Sequence, residues 1–234
     1  GKWVTPSKPN DFEVINPSNE EAFATISLGY KEDTDAAVNA AKNAFSKWKE
    51  TSKEERINLL EKLLKIYKKR FNEMTEAITT EMGSPIDYSS STHTVSGQSH
   101  IEDFILRLKE FNFEEHFDSK SNNYISYEPI GVCGLITPWN WPINQIALKV
   151  VPAIATGCTM ILKPSEIAPV SAMLFAEMID EAGVPSGVFN LVNGDGAGVG
   201  TYISGHSDID MVSFTGSTRA GKLISKNAAE TIKR

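Results

Sequence analysis

Two segments of this 234-residue chain carry the side chains best suited to chemistry. In the first, the apolar run ending at Ile136 breaks abruptly into Thr137-Pro138-Trp139-Asn140. In the second, Ile161-Leu162 gives way to Lys163-Pro164-Ser165-Glu166. Polar groups released at the carboxyl ends of consecutive parallel strands are where open α/β sheets bind ligands. Asn140 stands between two tryptophans and two prolines, a rigid and largely apolar setting. A carboxamide N–H₂ held there can donate to a developing oxyanion, a role worth ~3–4 kcal/mol when such donors are removed. The same residue also suits an ordinary turn. Lys163 and Glu166 sit where an acidic group hydrogen-bonds ribose hydroxyls and repels a 2′-phosphate. From one strand end alone they read more often as surface charges in an ordinary loop.

Two glycine-bearing turns offer phosphate contacts. Gly194-Asp195-Gly196-Ala197-Gly198-Val199-Gly200 departs from the G-x-G-x-x-G spacing and follows the third strand instead of the first. Glycines are also the usual material of a tight turn. Phe214-Thr215-Gly216-Ser217 is better placed, at a strand end that opens a helix, where free N–H groups and the helix dipole favour an anion. A plain serine cap is compatible with that reading. Cys133 and Cys158 fall in apolar strand sequence, where desolvation raises a thiol pKa and access is poor. Neither reads as a nucleophile. His93, His100, His116 and His206 lack metal-ligand or catalytic spacing and read as surface or helix residues, so no metal is expected.

The surrounding elements follow from periodicity. Short strands are expected over residues 3–28. A helix follows from about Asp33 to Glu50, with Ala37, Val38, Ala41, Phe45 and Trp48 on one face. Ser52-Lys53-Glu54-Glu55 is a capping-box pattern for a second helix that carries Leu59 to Met74 and stops at Gly83-Ser84-Pro85. A third helical segment spans roughly Thr92 to Lys109. Beyond Tyr124 strands and helices alternate: strand 130–137, helix 142–156 broken or restarted at Pro152, strand 158–162, and a helix between Pro169 and Gly183. Strand 188–192, a short helix 197–204, strand 210–215 and a helix to the chain end complete the pattern. Units of this length imply a parallel sheet with right-handed crossovers. The last helix has no strand to return to, and the start lacks a methionine, so the chain reads as trimmed.

A net charge of −7 from dispersed acids argues against nucleic-acid or acidic-membrane partners. Two cysteines without CxxC spacing fit a reducing cytoplasm. No apolar run approaches bilayer length and no signal-peptide pattern is present.

Taken together, the motifs resemble the aldehyde dehydrogenase superfamily. The resemblance rests on Asn16-Pro17, Glu128-Pro129-Ile130-Gly131-Val132, Pro138-Trp139-Asn140, Ala155-Thr156-Gly157, Lys163-Pro164-Ser165-Glu166, Glu181-Ala182-Gly183-Val184-Pro185 and Phe214-Thr215-Gly216-Ser217. It implies an α/β, Rossmann-like coenzyme-binding domain, a parallel sheet with flanking helices, plus part of an oligomerisation β-hairpin. Residues 1–116 would form its N-terminal strands and helices, 117–128 the hairpin segment, and 129–234 the NAD-binding core. It implies NAD(P)-dependent oxidation of an aldehyde through a cysteine thioester, with Asn140 on the oxyanion. NAD is expected over NADP because of Glu166. Cofactor contacts are implied at Ile136, Thr137, Pro138, Trp139, Lys163, Ser165, Glu166, Gly196, Gly200, Phe214, Thr215, Gly216, Ser217 and Gly221. A homodimer or homotetramer is also implied. The family's general-base and nucleophile segments lie beyond Arg234, so a stand-alone NAD-binding module, or a relative that transfers the acyl group to coenzyme A or reduces an acyl phosphate, stays open.

Overall fold

The computed structural model describes residues 1–118 and 122–234. The chain opens with an antiparallel pair, β1 (Asp11–Asn16) and β2 (Glu21–Ser27). The residues before Asp11 form no strand, which narrows the expected 3–28 region. Helix α1 (Lys31–Trp48) follows, then α2 (Lys53–Lys69). Ser52 caps α2 reciprocally: its Oγ accepts from the Glu55 N–H at 3.2 Å, and its own N–H donates to Glu55 Oε2 at 2.7 Å.

The expected single helix through Met74 is in fact two. Arg70, with φ −98° and ψ 18°, separates α2 from α3 (Phe71–Met82). Its guanidinium grips Glu73 at 2.7 Å and Glu177 at 2.8 Å, so a tertiary contact accompanies a break that no Gly or Pro signals. Gly83, at φ +70°, ends α3 as expected. The third helical segment is also composite: one turn α4 (Ile86–Tyr88), a π-helical turn over Ser89–Thr94, then α5 (Val95–Glu110). His93, read as a surface or helix residue, lies in that π turn and is buried. Its ring meets Tyr88 and Trp141 edge-on, with centroids 5.2 and 5.3 Å away.

A two-stranded antiparallel hairpin, β3 (Glu114–His116) and β4 (Tyr124–Ser126), projects next. Of the expected hairpin segment 117–128, Tyr124–Ser126 form the second strand, and 119–121 lie outside the described residues.

The second half winds β5 (Val132–Ile136), α6 (Pro142–Ala155), β6 (Thr159–Lys163), α7 (Val170–Glu181) and β7 (Phe189–Leu191). A π-helical turn over Gly196–Gly200, α8 (Thr201–Gly205), β8 (Met211–Phe214) and α9 (Thr218–Ala229) complete it. Pro152 does not break α6. The proline removes the bond to the Leu148 carbonyl, and Leu148 lies on the exposed side of the helix, where water can replace the donor. The strands are parallel, in the order β7-β6-β5-β8. Every residue of β5 and β6 is buried, as in strands covered on both faces.

Side-chain alternation splits the core between the two faces. Cys133 and Leu135 of β5, with Met160 and Leu162 of β6, pack under α2, α3, α5, α6 and α7. Val132 and Ile136, with Ile161, face α1, Val199 of the glycine-rich turn and Ile203 of α8. Gly131 enters β5 at φ +127°, and a Cβ there would collide with Asp210, whose carboxylate accepts from the Val132 N–H at 2.7 Å. Helix α9 stops at Ala229 instead of running to the chain end. Arg234 then lies along β8, donating to the Asp210 carbonyl at 3.2 Å and accepting from the Val212 N–H at 2.7 Å. As expected, no strand follows the last helix among the described residues. Among the described residues no helix is long and apolar enough to cross a membrane.

One buried acid bridges the helical layer. Glu81, 2% exposed near the end of α3, accepts from the N–H groups of Val170 (2.6 Å) and Ser171 (3.2 Å) at the start of α7. Burial pushes its carboxyl up to about 7, against the opposing pull of those N–H groups. A folded-state value above the ordinary 4.5 means the folded chain holds this proton where the unfolded chain has released it. The resulting stabilisation is complete below about pH 4.5 and is lost as pH rises to about 7. Glu81→Gln should therefore gain stability relative to wild type across that window, by on the order of 3 kcal/mol, and by nothing further above it. Urea midpoints at pH 4.5, 7 and 8.5 measure this, and a difference independent of pH would contradict it.

Candidate functional site

Three strand ends lie in a row. The Thr137 N–H donates to the Lys163 carbonyl at 3.2 Å, and the Thr215 N–H donates to the Ile136 carbonyl at 3.1 Å. The chain moves outward from β5 through β6 to β7, then returns to the other side of β5 at β8. That reversal opens a crevice outside the strand ends, the position where open α/β sheets take ligands. Ile136 and Thr137 are buried at its floor, while Trp139 is half-exposed and Asn140 exposed.

The expected apolar enclosure of Asn140 is absent from these residues. Its carboxamide has no hydrogen-bond partner among the described residues, and the rigidity comes from its neighbour. Trp141 Nε1 donates to Ser96 Oγ at 3.2 Å and its ring rests against His93. Asn140 is therefore held from behind with its polar end free.

Lys163 is the most constrained polar group of the site. Its side chain is 4% exposed, and Nζ donates to the carbonyls of Pro164 (2.7 Å) and Gly194 (2.6 Å) and to Glu166 Oε2 (3.2 Å). Three ammonium protons meet three acceptors. Burial lowers its pKa, and Glu166 and Asp195 oppose that shift. Glu166 Oε1 has no protein partner among the described residues. Ser165 is buried, with Oγ accepting from the Ile167 N–H at 3.3 Å. The glycine-rich turn joins the same cluster, since a Cβ on Gly200 would lie 3.8 Å from the Lys163 stem. Asp195 caps that turn by accepting from the Gly198 N–H at 2.6 Å, and Gly196 faces open space.

On the other side of the crevice, Ser217 caps α9 through Oγ, which accepts from the Ala220 N–H at 3.2 Å. The N–H groups of Thr218 and Arg219 are left for an external acceptor. Gly216 allows the turn to fold over Phe214, whose ring a Cβ would meet at 2.5 Å; Gly221 sits 3.4 Å from the same ring by that measure. A carboxylate with one free oxygen and a helix start with unpaired N–H groups match the hydroxyls and pyrophosphate of a dinucleotide. The residues present fit NAD.

The cysteines lie at the opposite, amino end of the sheet, 3% and 4% exposed. Cys133, hydrogen-bonded to Cys158 and buried, is pushed up as expected. Cys158 is instead pulled down to about 6, because it accepts from Cys133, Thr156 and the backbone N–H groups of Gly131 and Ile130, which outweigh burial. Access, not acidity, disqualifies it. No group of His, Cys, Asp and Glu among the described residues could hold a metal.

Sequence reasoning passed over three groups near the site. Lys149 Nζ donates to Ser213 Oγ at 3.0 Å, bridging α6 to β8 half-buried, and burial lowers its pKa. Its signal was a lysine within the apolar run Ile146–Ile154 of α6. Glu81 had one too: an acid in the last turn of a helix opposes the dipole. Asp195 was hidden among glycines.

A profile of the aldehyde dehydrogenase family matches residues 3–234. The chain belongs to the aldehyde dehydrogenase family. A 3-succinoylsemialdehyde-pyridine dehydrogenase from a Pseudomonas species is 52% identical over all of this chain and 49% of its own length. The crystal structure of an aldehyde dehydrogenase from Bartonella henselae superposes with a TM-score of 0.98 at 59% identity, covering 100% of this chain and 49% of that one. Aldehyde dehydrogenase C from Pseudomonas syringae, a cysteine-to-alanine mutant crystallised with NAD⁺ and octanal, superposes with a TM-score of 0.96 at 44% identity, covering 100% and 47%. The parallel sheet and its helices match the coenzyme-binding domain of such dehydrogenases. The chain spans about half the length of the relatives it matches.

With both thiols buried away from the crevice, these 234 residues by themselves should not oxidise aldehydes. Incubation with NAD and a panel of small aldehydes should yield no NADH; turnover abolished by substituting Cys133 or Cys158 would contradict the placement of both thiols outside the chemistry.

Proposed function

We propose that the complete protein oxidises an aldehyde to a carboxylic acid with NAD. The observation that carries this reading is the row of strand ends, where the Lys163–Glu166 pair stands on one side and the open start of α9 on the other. Glu166 Oε1 accepts from the adenosine ribose hydroxyls, and Lys163 holds Glu166 in place for that contact. Gly200 keeps the neighbouring turn close to Lys163, and Gly196 leaves the outer side of that turn open to the cofactor. Ser217 and the N–H groups beyond it receive the pyrophosphate, with Phe214, Gly216 and Gly221 shaping that turn. Ile136, Thr137, Pro138, Trp139 and Thr215 border the nicotinamide end. When bound, NAD supplies the hydride acceptor.

Asn140 donates its free N–H₂ to the aldehyde oxygen as negative charge develops there. A cysteine nucleophile and a glutamate base are inferred to come from the part of the protein outside these 234 residues. The Pseudomonas syringae relative, a cysteine-to-alanine mutant crystallised with both NAD⁺ and octanal, supports that division. Residues 1–116 and 129–234 act as one coenzyme-binding unit in this reading. The hairpin β3–β4 pairs subunits into a homodimer or homotetramer in the cytoplasm, its exposed Tyr124 and Phe117 being suited to burial against a second copy.

Asn140→Ala in the complete enzyme should lower kcat by ~10²–10³ while NAD affinity stays close to wild type. Full turnover would remove Asn140 from the mechanism. Glu166→Ser should narrow the preference for NAD over NADP, because it removes both the ribose acceptor and the charge that repels a 2′-phosphate. An unchanged ratio of kcat/KM for the two cofactors would refute that role. Light scattering at micromolar concentration should return at least twice the mass of one complete chain, and a monomeric mass would rule out the subunit pairing.

A further inference from the structure

The geometry points to Glu81 as a positioning residue for cofactor binding: its carboxylate pins the far end of the loop that carries Glu166. This rests on the NAD reading above. The loop between β6 and α7 is short and internally braced. Ser165 Oγ accepts from the Ile167 N–H at 3.3 Å, and the Ser165 carbonyl accepts from the Ala168 N–H at 3.2 Å. At its near end the Lys163 ammonium holds Pro164 and Glu166. At its far end Glu81 Oε2 takes the N–H groups of Val170 and Ser171, at 2.6 and 3.2 Å. Glu166 therefore sits on a segment clamped at both ends by buried polar side chains from different elements.

The far clamp is not a local cap. Its acceptor comes from α3, 89 residues earlier in the chain, and not from the residue before α7. Pro169, at that preceding position, has no side chain able to accept, so without Glu81 the first N–H groups of α7 would be buried and unpaired. Among the described residues no cation pairs with Glu81, which is buried against the groups at Val170 and Ser171. An uncompensated buried carboxyl is costly, and an apolar side chain would pack there at less expense. The placement makes sense as an acceptor that fixes the start of α7. Fixing that start fixes the loop, and through the loop the free oxygen of Glu166. Binding to a conformation that is only partly populated weakens in proportion to the missing fraction, so a loosened loop should cost NAD affinity and leave the chemical step alone.

The test uses the complete enzyme with Glu81→Gln, Glu81→Leu and Glu166→Ala. Glu81→Gln keeps an oxygen acceptor and should bind NAD within about twofold of wild type. Glu81→Leu should bind NAD roughly five- to tenfold more weakly, the scale expected for losing a helix cap, with kcat and the aldehyde KM near wild type. Hydrogen exchange on the wild-type enzyme provides a measurement that does not depend on the Leu variant folding. Because coupling is reciprocal, NAD should slow exchange at Val170 and Ser171 as well as at Glu166. A folded Glu81→Leu variant with undiminished NAD affinity, or NAD-induced protection that stops short of Val170, would overturn the proposal. If Glu166→Ala loses affinity in the same experiment, the NAD reading stands while the role of Glu81 falls. If neither variant loses affinity, the NAD reading falls with it.

Discussion

The site depends on one buried ammonium. Lys163 ends a fully buried strand, and the chain keeps its Nζ out of water by giving it three acceptors from two loops. An amine buried without them would lose its charge. With them, the end of β6, the glycine-rich turn after β7 and the carboxylate of Glu166 become a single unit. The free oxygen of Glu166 is thereby presented in one orientation, a requirement for reading a ribose diol.

The arrangement also separates two kinds of polar group. Those at the back, Lys163, Glu81 and Ser165, are buried and satisfied within the protein. Those at the front, the Asn140 carboxamide, Glu166 Oε1 and the first N–H groups of α9, lack protein partners among the described residues. Buried polar networks are stable only when every member is satisfied, whereas exposed groups can wait for a ligand at little cost. The sheet supplies the division. Its two central strands, β5 and β6, are buried along their length, and the polar turns of the site begin where those strands stop.

Most of this was legible in the residues themselves. Val132–Ile136 and Met160–Leu162 are short apolar runs followed by polar turns, which identifies buried parallel strands and their carboxyl ends together. The Ser52–Glu55 box and Gly83 mark helix ends by local chemistry, and both hold. The errors arise where tertiary contacts overrule local signals. Arg70 splits a helix while reaching Glu177, Pro152 is carried inside α6, and the buried His93 packs against Trp141 at the start of α6. Cys158 illustrates the same limit chemically. Burial was visible in its apolar context, but the hydrogen bonds that pull its thiol down come from Cys133, Thr156 and the Ile130–Gly131 backbone, which only the folded sheet brings together. Glu81 was hidden because its partners lie on α7.

The claim on which the account turns is that the strand-end crevice binds the dinucleotide, with its adenosine half on the Lys163–Glu166 unit. A crystal structure of the complete enzyme with NAD tests it directly. The account predicts adenosine ribose hydroxyls within hydrogen-bonding distance of Glu166 Oε1, and pyrophosphate oxygens on the N–H groups at the start of α9 beside Ser217. NAD bound elsewhere, or bound in the crevice with its ribose remote from Glu166, would contradict it.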